Sequence, residues 1–136
     1  MGLKFLLDSN AVIDFLGAKY PAEGMNLVNS TVDDIPNISV ISKIEVLGYK
    51  TNDEEYQVLQ NFCNDALILE LNDEIVAKTI DIRIQHKLKT PDAVIAATAL
   101  VYNMVLVQET QATSPKSLVL QLLTHLNYKI ISGYFS

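Results

Sequence analysis

Short runs of consecutive apolar residues alternate along the chain with longer stretches whose apolar positions recur every three or four residues. The short runs are typical of buried strands, and the periodic stretches are typical of amphipathic helices. Strands are predicted at residues 3–7, 36–41, 66–71 and 104–107, and helices at residues 10–16, 21–31, 42–49, 52–64, 72–86 and 90–103, while residues 117–126 fit either. This alternation predicts an α/β fold with a parallel sheet and helices on both of its faces.

The composition indicates one small globular unit. A chain of 136 residues with 49% apolar content is long enough for one core, and no repeat or linker divides it, so we expect residues 1–136 to form a single domain. The single Cys63 excludes an internal disulfide, and no secretion signal is evident, so we expect a reducing, cytoplasmic location. The most apolar region, residues 92–107, is shorter than the roughly 20 residues that a membrane span requires. We therefore expect no membrane association.

The charge balance limits the kinds of partner. The formal net charge is −6, and only one of the ten basic residues is an arginine, so no broad basic surface for nucleic acid is evident unless metal ions offset the acids. Fifteen of the sixteen acidic residues lie at or before Asp92, and only Glu109 follows it. The part of the chain after Asp92 therefore differs from the rest in containing almost no acidic residues.

Asp8 directly follows the first apolar run. In a parallel sheet the carboxyl ends of the strands meet helix N-termini at a crevice where ligands bind, and Asp8 is predicted to lie at its mouth. The simpler interpretation is a helix cap, in which Asp8, Ser9 or Asn10 accepts hydrogen bonds from the free N–H groups of the following helix. For a single acid the cap is the better interpretation.

Glu45 and Asp92 also have ordinary interpretations as helix-start residues. The segment from Ser42 to Glu45 matches the Ser-x-x-Glu capping box, in which the glutamate folds back onto the cap residue. Asp92 follows Thr90 as a plausible cap and Pro91 as the first helical residue, where a negative charge favours the helix dipole. Each acid alone is therefore consistent with a purely structural role.

The conjunction of the three acids is less ordinary, because each is predicted at a helix start within an apolar part of the chain. Converging carboxylates repel one another unless a cation lies between them. Mg²⁺ and Mn²⁺ prefer oxygen ligands, and open carboxylate clusters commonly hold them for phosphoryl chemistry. Asp8, Glu45 and Asp92 are therefore predicted to form one site for a divalent cation.

Three segments of the sequence resemble the acidic motifs of PIN-domain proteins, especially the VapC-type toxins of bacterial toxin–antitoxin pairs. They are residues 6–13, 38–49 and 90–99, and their order, intervals and flanking residues all agree with the family. The resemblance covers roughly residues 3–107, and the Asp that precedes an Ala-rich apolar helix is its most specific part. It implies a three-layer α/β/α fold with a central mainly parallel sheet.

The same resemblance implies an activity, a cofactor and partners. Relatives of this kind hydrolyse single-stranded RNA, often transfer RNA, with the residues that match Asp8, Glu45 and Asp92 holding one or two Mg²⁺ or Mn²⁺ ions. Many act as homodimers and are kept inactive by a small antitoxin protein. The implied chemistry suits the residues, because a bound divalent cation activates water and neutralises charge on the scissile phosphate.

The chain departs from the family after the fourth predicted strand, and from about residue 108 its C-terminal segment is atypical. Relatives carry a further acid there, whereas Thr113 occupies about that place in this sequence, ahead of a final strand predicted at residues 128–132. Two alternatives stay open: Glu109 substitutes as a metal ligand, or the metal site is incomplete. In the second case the protein is a catalytically impaired PIN-like scaffold that binds RNA or an antitoxin without cleavage.

Four basic residues are the RNA-contact candidates: Lys43, Arg83, Lys87 and Lys89. Individually, each is better explained as part of a solvated helix face or loop. Asp14 is a secondary candidate whose favoured interpretation is likewise a solvated residue.

Two further classes of site find little support in the sequence. His86 and His125 lack a second ligand at zinc spacing, so a zinc site is not favoured. A phosphotransferase with an aspartyl intermediate at position 8 is also disfavoured, because Asn10 cannot act as the acid and base that such enzymes place two residues further on.

Overall fold

The computed structural model describes residues 4–17, 35–109, 118–121 and 134–135. The predicted helix at 21–31 and the predicted strand at 128–132 lie outside these residues, and of the ambiguous segment 117–126 only 118–121 is described, as a strand. The elements in chain order are β1 (Phe5–Leu7), α1 (Ser9–Leu16), β2 (Asn37–Ser39), α2 (Val40–Leu47), α3 (Asp53–Asp65), β3 (Leu67–Leu69), α4 (Asp73–Gln85), α5 (Thr90–Val101), β4 (Val105–Glu109), β5 (Leu118–Gln121) and β6 (Tyr134–Phe135).

The described strands form one sheet in the order β3-β2-β1-β4-β5-β6. The first four strands in this order are parallel to one another, and β5 and β6 add to the β4 side as antiparallel strands. Leu7 of β1 is level with Ile38 of β2 and with Val107 of β4. The predicted α/β fold with a mainly parallel sheet is thus confirmed.

Helices cover both faces of the sheet. Successive strand residues point to opposite sides, so each central strand contributes apolar side chains to both faces. Leu6 and Leu106 belong to a core that they share with α4 and α5. Leu7 and Val107 belong to a second core, shared with α1, α2 and α3. The result is the predicted three-layer arrangement, with β1 and β4 at its centre.

Two of the predicted helix N-caps, Ser42 and Thr90, are wrong. Ser39, at the end of β2, is the N-cap of α2, and its side chain accepts a hydrogen bond from the Ile41 N–H, so the helix begins at Val40 and the predicted capping box at Ser42 does not form. Lys89 is the N-cap of α5, which makes Thr90 the first helical residue. The first error arises because Ser39 offers an earlier cap where its strand ends.

The junction between α5 and β4 is a tight turn. The helix ends at Val101, and Asn103 has a positive φ of 54°, a conformation that Asn tolerates better than most residues. The Met104 N–H donates to the Ala99 carbonyl at 2.9 Å, which closes the turn. Among the described residues, no helix is long and apolar enough to span a membrane.

Candidate functional site

Asp8 lies between the end of β1 and the start of α1, at the carboxyl edge of the parallel strands. Its backbone N–H donates to the Val107 carbonyl of β4 at 3.1 Å. Its side chain is buried, with 9% exposure, and Oδ1 accepts a hydrogen bond from the Ala11 N–H at 2.7 Å. The helix cap expected from the sequence is present. It does not exclude a second role, since a carboxylate has two oxygen atoms and several acceptor positions.

Ser9 connects the first acidic segment to the second. Its Oγ donates a hydrogen bond to Glu45 Oε1 at 3.0 Å, although the two residues are 36 positions apart in sequence. Ser9 is the first residue of α1, so its position is fixed by the same turn that fixes Asp8. The bridge therefore brings the carboxylate of Glu45 to the residue that follows Asp8.

Glu45 is the sixth residue of α2 rather than part of its first turn, because α2 begins at Val40. The prediction that it starts a helix is therefore wrong, and its carboxylate reaches the edge of the sheet from the second turn. Ser42, one turn before it, is fully buried, and its Oγ has no hydrogen-bond partner in the part of the chain that the structure describes. A buried hydroxyl without a partner destabilises the fold.

Asp92 is the third residue of α5 and is exposed to solvent. Because α5 leads into β4, which is parallel to β1, the N-terminus of α5 lies at the carboxyl edge of the sheet. Fold topology thus puts Asp92 at the same edge as Asp8 and Glu45. The direct link described above, however, joins only the first two segments.

The carboxylate oxygens of Asp8, Glu45 and Asp92 are donors that suit a hard divalent cation. The described side chains contain no cluster of three or more His, Cys, Asp or Glu residues arranged to hold a metal ion. The three-carboxylate metal site therefore stays a prediction, and the donors fit the ion in chemical type.

Glu109, the possible substitute ligand, is the last residue of β4. It lies two residues beyond Val107, whose carbonyl accepts from the Asp8 N–H, and its backbone pairs with Leu118 of β5. The backbone therefore brings position 109 to the edge where Asp8 lies. Thr113 is outside the described residues.

The basic candidates occupy different surroundings. Lys43 is close enough to α3 for its charge to act on Cys63, and it is about 200° around α2 from Glu45. Arg83 is exposed and its Nε donates to the Leu88 carbonyl at 3.2 Å, where it stabilises the connection between α4 and α5. Lys87 and Lys89 are exposed on that connection, shortly before Asp92.

Cys63 is a core residue. It is 2% exposed, and burial raises the pKa of its thiol, an effect that the charge of Lys43 partly opposes.

Asp14 is not the solvated residue expected from the sequence, since it is 4% exposed. It follows the buried Ala11 by three residues, which puts it on the same side of α1.

Sequence reasoning missed two serines of this region. The sequence predicts Ser9 only as a candidate cap, although its place directly after Asp8 is a usable signal. The spacing of Ser42 from Glu45 predicts a cap, and no feature of the sequence indicates that its hydroxyl is buried.

The fold and the positions of the acids define the class of this protein: it is an α/β protein with a parallel sheet and with acidic residues from separate helices at the carboxyl edge of that sheet. The particular family follows from sequence: the PIN domain family matches residues 5–110, and the chain belongs to it. A search of curated protein sequences finds no significant match.

Solved structures share the fold. A toxin–antitoxin complex from Klebsiella pneumoniae contains a chain that is 24% identical, with a TM-score of 0.67 over 82% of this chain and 93% of that one. VapBC2 from Rickettsia felis, bound to a DNA fragment from its promoter, is 18% identical with a TM-score of 0.64 over 79% and 88%. DNA-bound VapBC from Salmonella typhimurium is 22% identical with a TM-score of 0.63 over 77% and 85%.

Proposed function

We propose that this protein is a VapC-type toxin, a Mg²⁺- or Mn²⁺-dependent endoribonuclease that hydrolyses phosphodiester bonds in RNA, with transfer RNA as the first substrate to test. The observation that carries the proposal is the hydrogen bond from Ser9 to Glu45 beside Asp8, in a chain of the PIN domain family. It joins two of the three acidic segments at the edge where ligands bind in such folds.

Asp8, Glu45 and Asp92 are the residues that would hold the ion, with Glu109 as a possible fourth ligand. A divalent cation supplies Lewis acidity toward water and the phosphate when it is bound. The protein contributes orientation: the Val107 carbonyl fixes the Asp8 backbone, and Ser9 holds one carboxylate oxygen of Glu45. Such preorganised contacts keep ligands in place during the reaction.

RNA binding is assigned to the exposed cations near α5, namely Arg83, Lys87 and Lys89. Their joint replacement by Ala is expected to weaken RNA binding and to flatten its dependence on salt, since fewer counterions are released. Lys43 is the weakest of the basic candidates, because its charge acts on Cys63 in α3. An unchanged salt dependence would remove the three exposed cations from the RNA-binding surface.

The proposed partners are a small antitoxin and a second copy of this chain, in the cytoplasm. The structural neighbours support the first of these, because their chains come from toxin–antitoxin complexes.

Cleavage of a transfer-RNA pool by purified, partner-free protein tests the function. We expect specific fragments with Mn²⁺ or Mg²⁺, none with EDTA, and none from the Asp8→Asn and Asp92→Asn variants. Asp65→Asn is the matched control, because it removes one exposed carboxylate at the end of α3, and it should cleave like the wild type.

A folded wild type that neither cleaves RNA nor binds Mn²⁺ would contradict the nuclease proposal. It would favour the alternative function, a PIN-like scaffold that binds RNA or an antitoxin without cleavage. The specific observation on that side is that the described side chains form no three-ligand metal cluster. Binding that survives in Asp8→Asn would support this alternative.

A further inference from the structure

Ser42 carries a hydroxyl that the fold buries without pairing it. The residue is 0% exposed, and its Oγ has no hydrogen-bond partner among the described residues. Two other buried hydroxyls in helices, those of Thr79 and Thr98, each donate to the carbonyl four residues before them at 2.7 Å. An unpaired buried hydroxyl is rare in folded proteins and is explained by a functional role or by a bound water or ion.

Glu45 lies one turn after Ser42 in α2. Residues three apart in a helix are neighbours on its surface, with Cβ atoms about 5–6 Å apart. Helical side chains also tilt toward the N-terminus of the helix and so cover the turn before their own Cα. The Glu45 side chain therefore extends over the turn that contains Ser42.

The side of α2 that carries Ser42 faces α1. Val46 follows Ser42 by four residues, which puts it on the same side of the helix, and it belongs to the core that α2 shares with Ala11 and Val12 of α1. The hydrogen bond from Ser9 to Glu45 spans the same two helices. The unpaired hydroxyl is thus buried on the side of α2 from which Glu45 reaches the start of α1.

The first turn of α2 is level with the turn that contains Asp8. Leu7 pairs with Ile38 in register, and α1 and α2 each begin two residues after this pair. Asp8 is buried, whereas Glu45 is exposed and extends from the second turn of α2. To share an ion with Asp8, the Glu45 carboxylate must therefore move along α2 toward the turn of Ser42.

Glu45 has the capacity to accept a second donor. Ser9 bonds Oε1, and a carboxylate has two oxygens with several acceptor positions between them. Hydrogen bonds to an ionised acceptor are shorter and stronger than those between neutral groups. A Glu45 carboxylate that moves toward Asp8 thus supplies the acceptor that the Ser42 hydroxyl lacks.

We propose that Ser42 is a positioning residue of the metal site, whose hydroxyl donates a hydrogen bond to the Glu45 carboxylate when Glu45 and Asp8 hold a divalent cation. The inference rests on the proposed function and adds a residue to the three acids. The hydroxyl lowers stability in the metal-free fold and favours binding in the loaded site. Donors behind the metal ligands orient those ligands, and their loss typically weakens metal binding by about ten- to a hundredfold.

Mn²⁺ titration of the RNA-free protein, with the free ion followed by electron paramagnetic resonance, measures this role without any cleavage. Ser42→Ala should raise the Kd of the tightest site about tenfold. Thr79→Val is the matched control and should bind like the wild type, because it removes a buried hydroxyl that bonds within α4.

The titration distinguishes failure of the inference from failure of the proposed function. A Ser42→Ala protein with the wild-type Kd would overturn the inference and leave the nuclease proposal intact. A folded wild type without any Mn²⁺ site would overturn both.

Urea unfolding with Mn²⁺ and with EDTA separates positioning from a purely structural role. In EDTA, Ser42→Ala should be at least as stable as the wild type. In excess Mn²⁺ the wild type should gain more, because a tenfold tighter site adds about 1.4 kcal/mol at the same ion concentration. The wild type should then be the more stable protein. Equal gains in the two proteins would contradict the inference.

A Ser9→Ala background tests whether Ser42 acts through Glu45. Residues that bond the same carboxylate belong to one network, so their effects are coupled. Ser42→Ala should therefore change the Mn²⁺ Kd by a different factor in Ser9→Ala than in the wild type. The same factor in both backgrounds would contradict action through Glu45.

Discussion

Ser9 Oγ donates a hydrogen bond to Glu45 Oε1 over 3.0 Å and so joins the start of α1 to the second turn of α2. Ser9 is held by the turn that follows β1, whereas Glu45 is an exposed side chain with several rotatable bonds. The bond therefore restricts the more mobile of the two partners.

Ser9→Ala is expected to slow RNA cleavage about tenfold, because the loss of one hydrogen bond to a carboxylate amounts to about 1.4 kcal/mol. Ser9→Thr should retain most of the activity, since it keeps the hydroxyl. Single-turnover cleavage rates at saturating Mn²⁺ measure the effect. Thr51→Ala is the control, because the Thr51 hydroxyl also bonds a glutamate, Glu55, at the start of α3. A Ser9→Ala protein as fast as this control would show that the bridge has no role in cleavage.

The two roles of Asp8 are separable by substitution. Asp8→Asn should unfold at nearly the wild-type urea concentration, because Asn caps helices as well as Asp does. Asp8→Ala should lose about 1 kcal/mol of unfolding free energy together with the cap. Both should lose cleavage, because both remove the charge.

Asn52→Ala is the control that should lose a helix cap and keep cleavage, whereas Asp8→Asn should keep the cap and lose cleavage. Asn52 caps α3 through a hydrogen bond from the Glu55 N–H, and its loss should lower stability without affecting cleavage. An active Asp8→Asn protein would contradict a metal-binding role for this carboxylate.

Ala substitution should affect the stability differently at Ser39, the N-cap of α2, and at Ser42 in its first turn. Ser39→Ala should lower the free energy of unfolding by about 1 kcal/mol, because it removes the cap that bonds the Ile41 N–H. Ser42→Ala should leave it unchanged or raise it by about 1 kcal/mol, because it removes a buried hydroxyl that has no partner among the described residues. Urea unfolding of both variants checks this, and equal losses would contradict the assignment of the cap.

The raised pKa of the Cys63 thiol should make stability fall in alkaline solution. The unfolded chain releases the thiol proton near the ordinary pKa of 9.0, whereas the folded chain still holds it. The unfolded state therefore binds fewer protons, so the Cys63 contribution is complete below that pH and declines as the pH rises toward the folded-state value.

Denaturant unfolding over this pH range, compared with Cys63→Ala, isolates the thiol contribution. Lys43→Met should leave the start of the decline in place but extend it to higher pH and make it larger, because it removes the charge that opposes the effect of burial on the folded-state pKa. If the free energy of unfolding depended on pH identically in the wild type and in Cys63→Ala, the prediction would be contradicted.

The sheet and the place of Asp8 could be predicted from the sequence because each rests on local rules. Apolar runs mark buried strands, and the carboxyl ends of parallel strands share one edge, so an acid directly after β1 must lie there. The same rule applies to Asp92, since α5 precedes a strand parallel to β1.

The details that sequence could not supply depend on contacts between distant segments. Ser39 and Ser42 are equally good caps locally, and the choice follows from β2, whose last residue, Ser39, pairs with Leu69 of β3. The Ser9 bond spans 36 residues, and the influence of Lys43 on Cys63 crosses from α2 to α3. Residue type indicated which groups matter, but only the packing of helices determined which of them meet.

The pairing of Phe5 with Val105 has a consequence for synthesis of the chain. Before β4 has emerged from the ribosome, one edge of β1 has no neighbouring strand. The Val107 carbonyl that accepts the hydrogen bond from the Asp8 N–H is then also absent. Contacts between such distant residues also form slowly during folding. The edge of the sheet at Asp8 is therefore completed only after β4 has been synthesised, so a chain that stops before β4 cannot form it.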